Sequence, residues 1–240
     1  MRLFERSAAT RVLENGVTYV WWIDLQALPE MLDPGMRLLS QDERNRANRI
    51  AKSEVYREFV ITRSVVRLLL ASCIGCAPEG LRLVTGRYGK LAVEEIGVGI
   101  EFNVTHSHGL ALICLSSDRS VGVDLESISS MTDLDGMGLL TLTAGERAAI
   151  LADPEPLESF FRCWVRKEAV VKAAGVGLYA SLADVEVTTS DRPVIVRLRD
   201  AQDRLAKYEV TSLEAPRGYK AAIAREQSIG SLVVRTWSWN

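Results

Sequence analysis

The sequence predicts an α+β fold made of two α/β halves that meet near residues 117–120. Three observations carry this reading. Segments 53–71 and 155–174 place apolar residues at helical spacing. From residue 185 onward the chain instead alternates with a period of two, as strands with one wet face do. Between these regions, Ser116-Ser117-Asp118 marks a turn.

Residues 18–25 predict the first strand, and Pro- and Gly-punctuated sequence follows through Gly35. Ser40 with Glu43 three residues on forms a capping box, so a helix opens there and runs toward Lys52. The next helix, 53–71, carries Phe59, Val60, Val66 and Leu70 on its apolar side. Short apolar runs at 81–84, 99–104, 110–115 and 121–125 predict strands. Helices return at 144–151 and 155–174. The chain then closes with strands at 185–188, 194–198, 208–213, 219–224 and 231–237. No repeat or low-complexity tract interrupts this order.

Composition excludes several classes of function. With 240 residues, 48% apolar and 25% charged, the chain can bury a sizeable core and is not a disordered one. Twenty-nine Lys+Arg against 31 Asp+Glu argue against nucleic-acid binding as the main role. The charge is unevenly placed, however. Residues 42–90 are basic in balance, with Arg44, Arg46, Arg49, Lys52, Arg57, Arg63, Arg67, Arg82, Arg87 and Lys90 against five acids. Residues 124–168 are acidic in balance. The two segments either face one cleft, one for phosphates and one for a metal, or form two solvated faces.

No run approaches the roughly 20 apolar residues that span a bilayer, so no membrane anchor is expected. The run Val20-Trp21-Trp22-Ile23 ends at Asp24 and reads as a strand rather than a signal peptide. Cys73, Cys76, Cys114 and Cys163 outline no disulfide framework, and Cys73-Ile74-Gly75-Cys76 lacks the second close pair that a zinc site needs. All four are expected to be ordinary thiols in a reducing cytosol, the Cys73/Cys76 pair buried at a helix end.

Gly122-Val123-Asp124-Leu125-Glu126 is the first segment with chemistry. On a strand Asp124 and Glu126 share a face with Gly122, and two adjacent carboxylates make a hard oxygen site suited to Mg²⁺. By themselves these five residues read first as the wet face of an edge strand. The helix at 155–174 shifts that balance. Counting 100° per residue from Leu157, the residues Phe161, Trp164 and Val171 fall within about 40° of it and Phe160 within about 60°. Glu168 sits at about 20°, inside the stripe, and Lys172 at about 60°, at its edge. Arg162 and Arg166 fall on the far side, where solvent is expected.

A carboxylate on a core-facing stripe needs a partner. That partner is either Lys172 one turn on or a cation shared with Asp124 and Glu126, and carboxylates without Cys or His favour Mg²⁺. The pair Gly175 and Gly177 is most simply a helix cap and turn. Phe102-Asn103-Val104-Thr105-His106-Ser107 ends a strand in hydrogen-bonding side chains, and Arg87-Tyr88-Gly89-Lys90 is either a nucleotide-holding segment or a hairpin turn.

In order along the chain, these pieces resemble the 4′-phosphopantetheinyl transferases of the surfactin-synthetase-associated type. The match lies in Gly122 to Glu126 and in Trp164-Val165-Arg166-Lys167-Glu168-Ala169-Val170-Val171-Lys172-Ala173-Ala174-Gly175-Val176-Gly177-Leu178. The segments holding Phe102 to Ser107 and Tyr88-Gly89-Lys90 stand upstream at family-like distances.

The resemblance implies two similar lobes related by a pseudo-twofold axis, 1–118 and 119–240, with the active site between them. It implies transfer of the phosphopantetheine arm of coenzyme A to a serine of an apo acyl- or peptidyl-carrier protein, releasing adenosine 3′,5′-bisphosphate. Asp124, Glu126 and Glu168 match the Mg²⁺ ligands and Lys172 the lysine on the pyrophosphate, with Glu168 the candidate to take the serine proton. His106 and Arg46 match groups at the 3′-phosphate. Asn103, Thr105, Arg87, Tyr88, Gly89 and Lys90 match the nucleotide contacts, and Glu146 resembles a further acid of the family. Leu91 stands where the family often has proline, and Thr105 replaces a commoner serine but keeps the hydroxyl. A cytoplasmic monomer is the expected form.

Overall fold

The computed structural model describes residues 13–94, 99–128, 134–177, 181–227 and 230–239. Two four-stranded sheets dominate it. The first has the order β10-β1-β5-β4, formed by β1 (Val17–Asp24), β4 (Glu101–Ser107), β5 (Leu110–Ser116) and β10 (Ser231–Thr236). The second has the order β6-β9-β8-β7, formed by β6 (Val121–Ser127), β7 (Val194–Arg199), β8 (Leu205–Leu213) and β9 (Tyr219–Glu226). All pairings within these sheets are antiparallel except β10 with β1. The first sheet thus takes its edge strand from the far end of the chain. A small hairpin joins β2 (Leu83–Thr85) to β3 (Leu91–Val93).

The helices are α1 (Leu32–Leu38), α2 (Gln41–Ala47), α3 (Ser53–Ile74), α4 (Leu134–Thr141), α5 (Ala144–Leu151) and α6 (Pro156–Ala174). Side-chain alternation sorts the strands into layers. Ala111, Ile113 and Leu115 of β5 pack with Ile61, Val65 and Leu69 of α3. Their neighbours Leu112 and Cys114 point the other way, to Val121, Val123 and Leu125 of β6 and Ile223 of β9. The alternate residues of the second sheet, Ala222 and Ala224 among them, pack under Val165, Ala169 and Ala173 of α6. The order of layers is therefore α3, first sheet, second sheet, α6. Both sheets are buried on two faces, and each fully buried Val, Leu or Ile side chain contributes about 1.5–3 kcal/mol.

Local signals account for the helix limits. The Ser40–Glu43 capping box is formed in both directions, and α2 ends at Ala47, short of the expected Lys52. Both long helices stop at a left-handed glycine, Gly75 (φ 80°) for α3 and Gly175 (φ 71°) for α6. Three sequence expectations are corrected. Residues 32–38 form α1, because Pro34 lies in its first turn, where no amide hydrogen bond is lost. The strand expected at 185–188 joins no sheet; Val185 and Val187 are buried against the α6 core without a strand partner. Cys73 is half-buried and Cys76 exposed, whereas Cys114 and Cys163 are buried, which pushes both thiols up to about 12. No helix among the described residues is long and apolar enough to cross a membrane.

Candidate active site

The site forms where α6 crosses the edge strand β6. A Cβ at Gly122 would run into the backbone of Ala169 and Ala173, so only glycine lets the helix lie this close. The residues preceding those two alanines are Glu168 and Lys172, and they thereby come to the strand beside Asp124. Lys172 Nζ lies 2.6 Å from Asp124 Oδ1. Thr105 completes a triangle, donating its hydroxyl to Asp124 at 3.4 Å and accepting from Lys172 at 3.4 Å. Glu126 accepts from Ser107 Oγ at 3.3 Å.

Strand β4 supplies the opposite wall. Its Asn103, Thr105 and Ser107 face β6, while Phe102 and Val104 face the α3 core. Asn103 Oδ1 accepts the Val123 amide at 3.0 Å, and Ser107 Oγ accepts the Ser127 amide at 3.1 Å. Lys90 donates to the Val121 carbonyl at 3.2 Å, to Glu101 at 3.1 Å and to the Ala173 carbonyl at 3.5 Å. These side chains take hydrogen bonds that the open edge of β6 would otherwise offer to another strand, and they hold the two sheets in register.

A cleft of about 340 Å³ opens beside this joint. It is lined by Tyr88, Gly89 and Lys90, by Asn103, and by Glu168 and Lys172, with Phe102 and Gly177 among its other walls. The structure thus gathers two motifs that are about 80 residues apart in sequence. Arg46, Arg87, Thr105, His106, Asp124 and Glu126 do not line the cleft itself. Of these, Thr105, Asp124 and Glu126 belong to the adjoining polar cluster. Arg46 is exposed over the Phe59 ring at 5.1 Å, and Arg87 is exposed over Tyr88 at 5.2 Å.

Proteins of known kind are similar to this chain. A family model described as the 4′-phosphopantetheinyl transferase superfamily matches residues 120–224, which hold β6, α6 and all three carboxylates. The 4′-phosphopantetheinyl transferase HetI of Nostoc sp. is 32% identical over 173 residues, covering 70% of this chain and 73% of that protein. The chain belongs to the 4′-phosphopantetheinyl transferase superfamily. The transferase Sfp of Bacillus subtilis is 23% identical over 189 residues, covering 78% and 82%. The transferase AcpT of Salmonella typhi is 35% identical over 111 residues, covering 45% and 56%.

The transferase's carboxylates sit in a demanding environment. Burial, then the charge of Asp124, pushes the Glu126 carboxyl above its ordinary range. Burial, again followed by Asp124, does the same to Glu168, with Glu126 adding to it and Lys172 opposing it. Asp124 Oδ2 is buried and takes no hydrogen bond among the described residues. An orphaned carboxylate oxygen beside two further carboxylates fits a hard divalent cation in its chemistry. The three are coupled but not drawn into a closed ligand set. Among the described residues no three His, Cys, Asp or Glu side chains stand as a ready metal group.

Several residues of the transferase carry roles that sequence reasoning missed. Lys167 is fully buried and pairs with Glu146 at 2.6 Å. Glu146 also caps α5 with Thr143 and accepts the Val187 amide at 2.7 Å. This further acid is a buried strut beneath α6, away from the cleft. Arg166, expected in solvent, is also buried; its guanidinium donates to the carbonyls of Ser190 and Arg192 and to Ser212 Oγ. Helical periodicity cannot see this, because α6 is covered on that side by the 185–192 segment. Gly177 (φ 55°) packs on Tyr88, where a Cβ would approach the Tyr88 carbonyl at 2.9 Å, so the second glycine of the motif seats the Tyr88 segment. Leu178, the last residue of the motif, lies outside the described residues.

Proposed function

We propose that this transferase, of the surfactin-synthetase-associated type, places coenzyme A in the cleft with its nucleotide along Tyr88-Gly89-Lys90 and Asn103. The pyrophosphate then lies toward Lys172 and the three carboxylates, at the joint between the 1–118 and 119–240 lobes. The observation that carries this reading is the cleft itself, which joins the Tyr88 segment to Glu168 and Lys172 in one opening. Asp124, Glu126 and Glu168 would hold Mg²⁺, which neutralises pyrophosphate charge when bound.

The acceptor is a serine hydroxyl of an apo acyl- or peptidyl-carrier protein. Its oxygen bonds to the phosphorus that bears the pantetheine arm, and the bond from that phosphorus to the adenosine 3′,5′-bisphosphate breaks. Glu168 accepts the serine proton. Partial burial and the charge of Asp124 raise its carboxyl pKa, a direction that favours proton uptake. Lys172, which lines the same cleft, stabilises the charge that collects on the leaving bisphosphate. Phosphoryl-type transfer needs little more than such positioning and charge.

Incubating the chain with apo carrier protein, coenzyme A and Mg²⁺ tests the reading by intact mass. The expected result is a gain of one phosphopantetheine on the carrier and release of adenosine 3′,5′-bisphosphate. No gain across a panel of acyl- and peptidyl-carrier proteins overturns it. Bisphosphate release without any carrier would instead mark a hydrolase.

A further inference from the structure

Glu58 of α3 is a buried acid, 8% exposed, that the reaction described above does not use. Its Oε1 accepts the Gly109 amide at 2.7 Å. Its Oε2 faces the imidazole of His106, with Nδ1 at 3.7 Å. The turn that Glu58 holds is tight: His108 (φ 45°) and Gly109 (φ 87°) are both left-handed, the conformation of a two-residue hairpin with a type I′ turn. Leu25 donates its amide to the Gly109 carbonyl at 2.8 Å, and Tyr219 its hydroxyl to the His108 carbonyl at 2.7 Å. With the turn tied down from three elements, Glu58 needs only one oxygen to serve it. The second oxygen is aimed at His106.

His106 follows Phe102 and Val104 on the α3 face of β4, and both of those line the cleft. Its side chain is 46% exposed. We propose that Glu58 is a positioning residue for recognition of a nucleotide phosphate: its carboxylate orients His106 with Nδ1 toward α3, which leaves Nε2 to meet a phosphate. The proposal rests on the transferase reading above. A phosphate requires His106 to donate from Nε2, and with Nδ1 turned toward the Glu58 carboxylate that means the imidazolium. The charges facing the ring are Glu58 from α3 and Lys172 from α6. Burial and Lys172 disfavour the imidazolium and Glu58 favours it, with burial the largest effect.

Glu58→Gln separates this role from a structural one, because the amide oxygen still accepts the Gly109 N–H but carries no charge. Steady-state transfer to an apo carrier is measured with coenzyme A and with 3′-dephospho-coenzyme A. Expected is a rise of about fivefold in KM for coenzyme A with kcat little altered, and no rise for the dephospho form. In a His106→Ala background the same substitution should raise KM no further.

An equal loss with both substrates, or an unchanged KM for coenzyme A, overturns the proposal. NMR titration of His106 gives a second, activity-independent reading: Glu58→Gln should lower its pKa, and an unchanged titration overturns the proposal as well. If the wild-type chain transfers nothing, the transferase reading fails while the titration still decides whether Glu58 governs His106.

Discussion

Lys172 pairs with Asp124 at 2.6 Å across the joint between α6 and β6, rather than with Glu168 one turn back on its own helix. The pair brings a cation to a group of three carboxylates of which two are already pushed toward the protonated form by burial and by Asp124. It also ties the helix to the strand at the point where Gly122 lets them touch.

Asp124→Asn keeps the side chain's shape and removes its charge. Transfer is expected to fall by at least about a hundredfold, as for loss of other groups that stabilise a transition state. Calorimetric binding of Mg²⁺ should weaken in parallel, and chelation should silence the wild type until Mg²⁺ is restored. Undiminished transfer by the variant in the mass assay would remove Asp124 from the site.

The Glu146–Lys167 pair is fully desolvated, so breaking one side leaves a buried charge unpaired. Lys167→Ala or Glu146→Ala is expected to cost about 3–5 kcal/mol. For a chain of this size that corresponds to a fall in Tm of about 6–20 °C. The double replacement Glu146→Leu with Lys167→Met should cost less than the sum of the two single changes. Thermal unfolding followed by circular dichroism measures all three, and a neutral single variant would contradict the strut.

Gly122→Ala adds one methyl group where the α6 backbone lies. Backbone cannot move aside as a side chain can, so the cost should reach or exceed the roughly 1–3 kcal/mol of ordinary overpacking. The variant should be less soluble, melt earlier and lose transfer, because any shift of α6 carries Glu168 and Lys172 away from Asp124. A variant with wild-type Tm and activity would refute the close approach.

Burial holds the His106 imidazole below its ordinary value near 6.5, with Glu58 opposing that shift and Lys172 adding to it. A phosphate bound beside it would favour the imidazolium and raise the value, so the complex takes up a proton that the free protein lacks. The His106-dependent part of coenzyme A affinity should therefore weaken as pH rises from about 6 to 8. Calorimetry in buffers of different ionisation enthalpy reads the proton uptake directly. His106→Ala should abolish that component, and an identical pH dependence in this variant would rule it out.

Most strands and both long helices were legible from residue order, because a period of two or 3.6 follows directly from backbone geometry. Gly122, Asp124 and Glu126 were readable as one face, and Glu168 and Lys172 as neighbours on a stripe. What lay across from them was not. Arg166 reads as solvent-facing and is buried because a distant segment covers it. Val185 and Val187 alternate like a strand because they pack on a core, not because they pair.

The sequence by itself determined the local elements, the carboxylate and lysine motifs, and the family they resemble, since each depends on spacing within one short segment. Only the tertiary structure decided that Lys172 meets Asp124, that Glu146 is a strut under α6, and that Asn103 and Lys90 tie two sheets together. It also decided that Glu58 faces His106. Those relationships join groups 20 to 50 or more residues apart, and their energies come from burial and electrostatics across a packed interface, which no local period records.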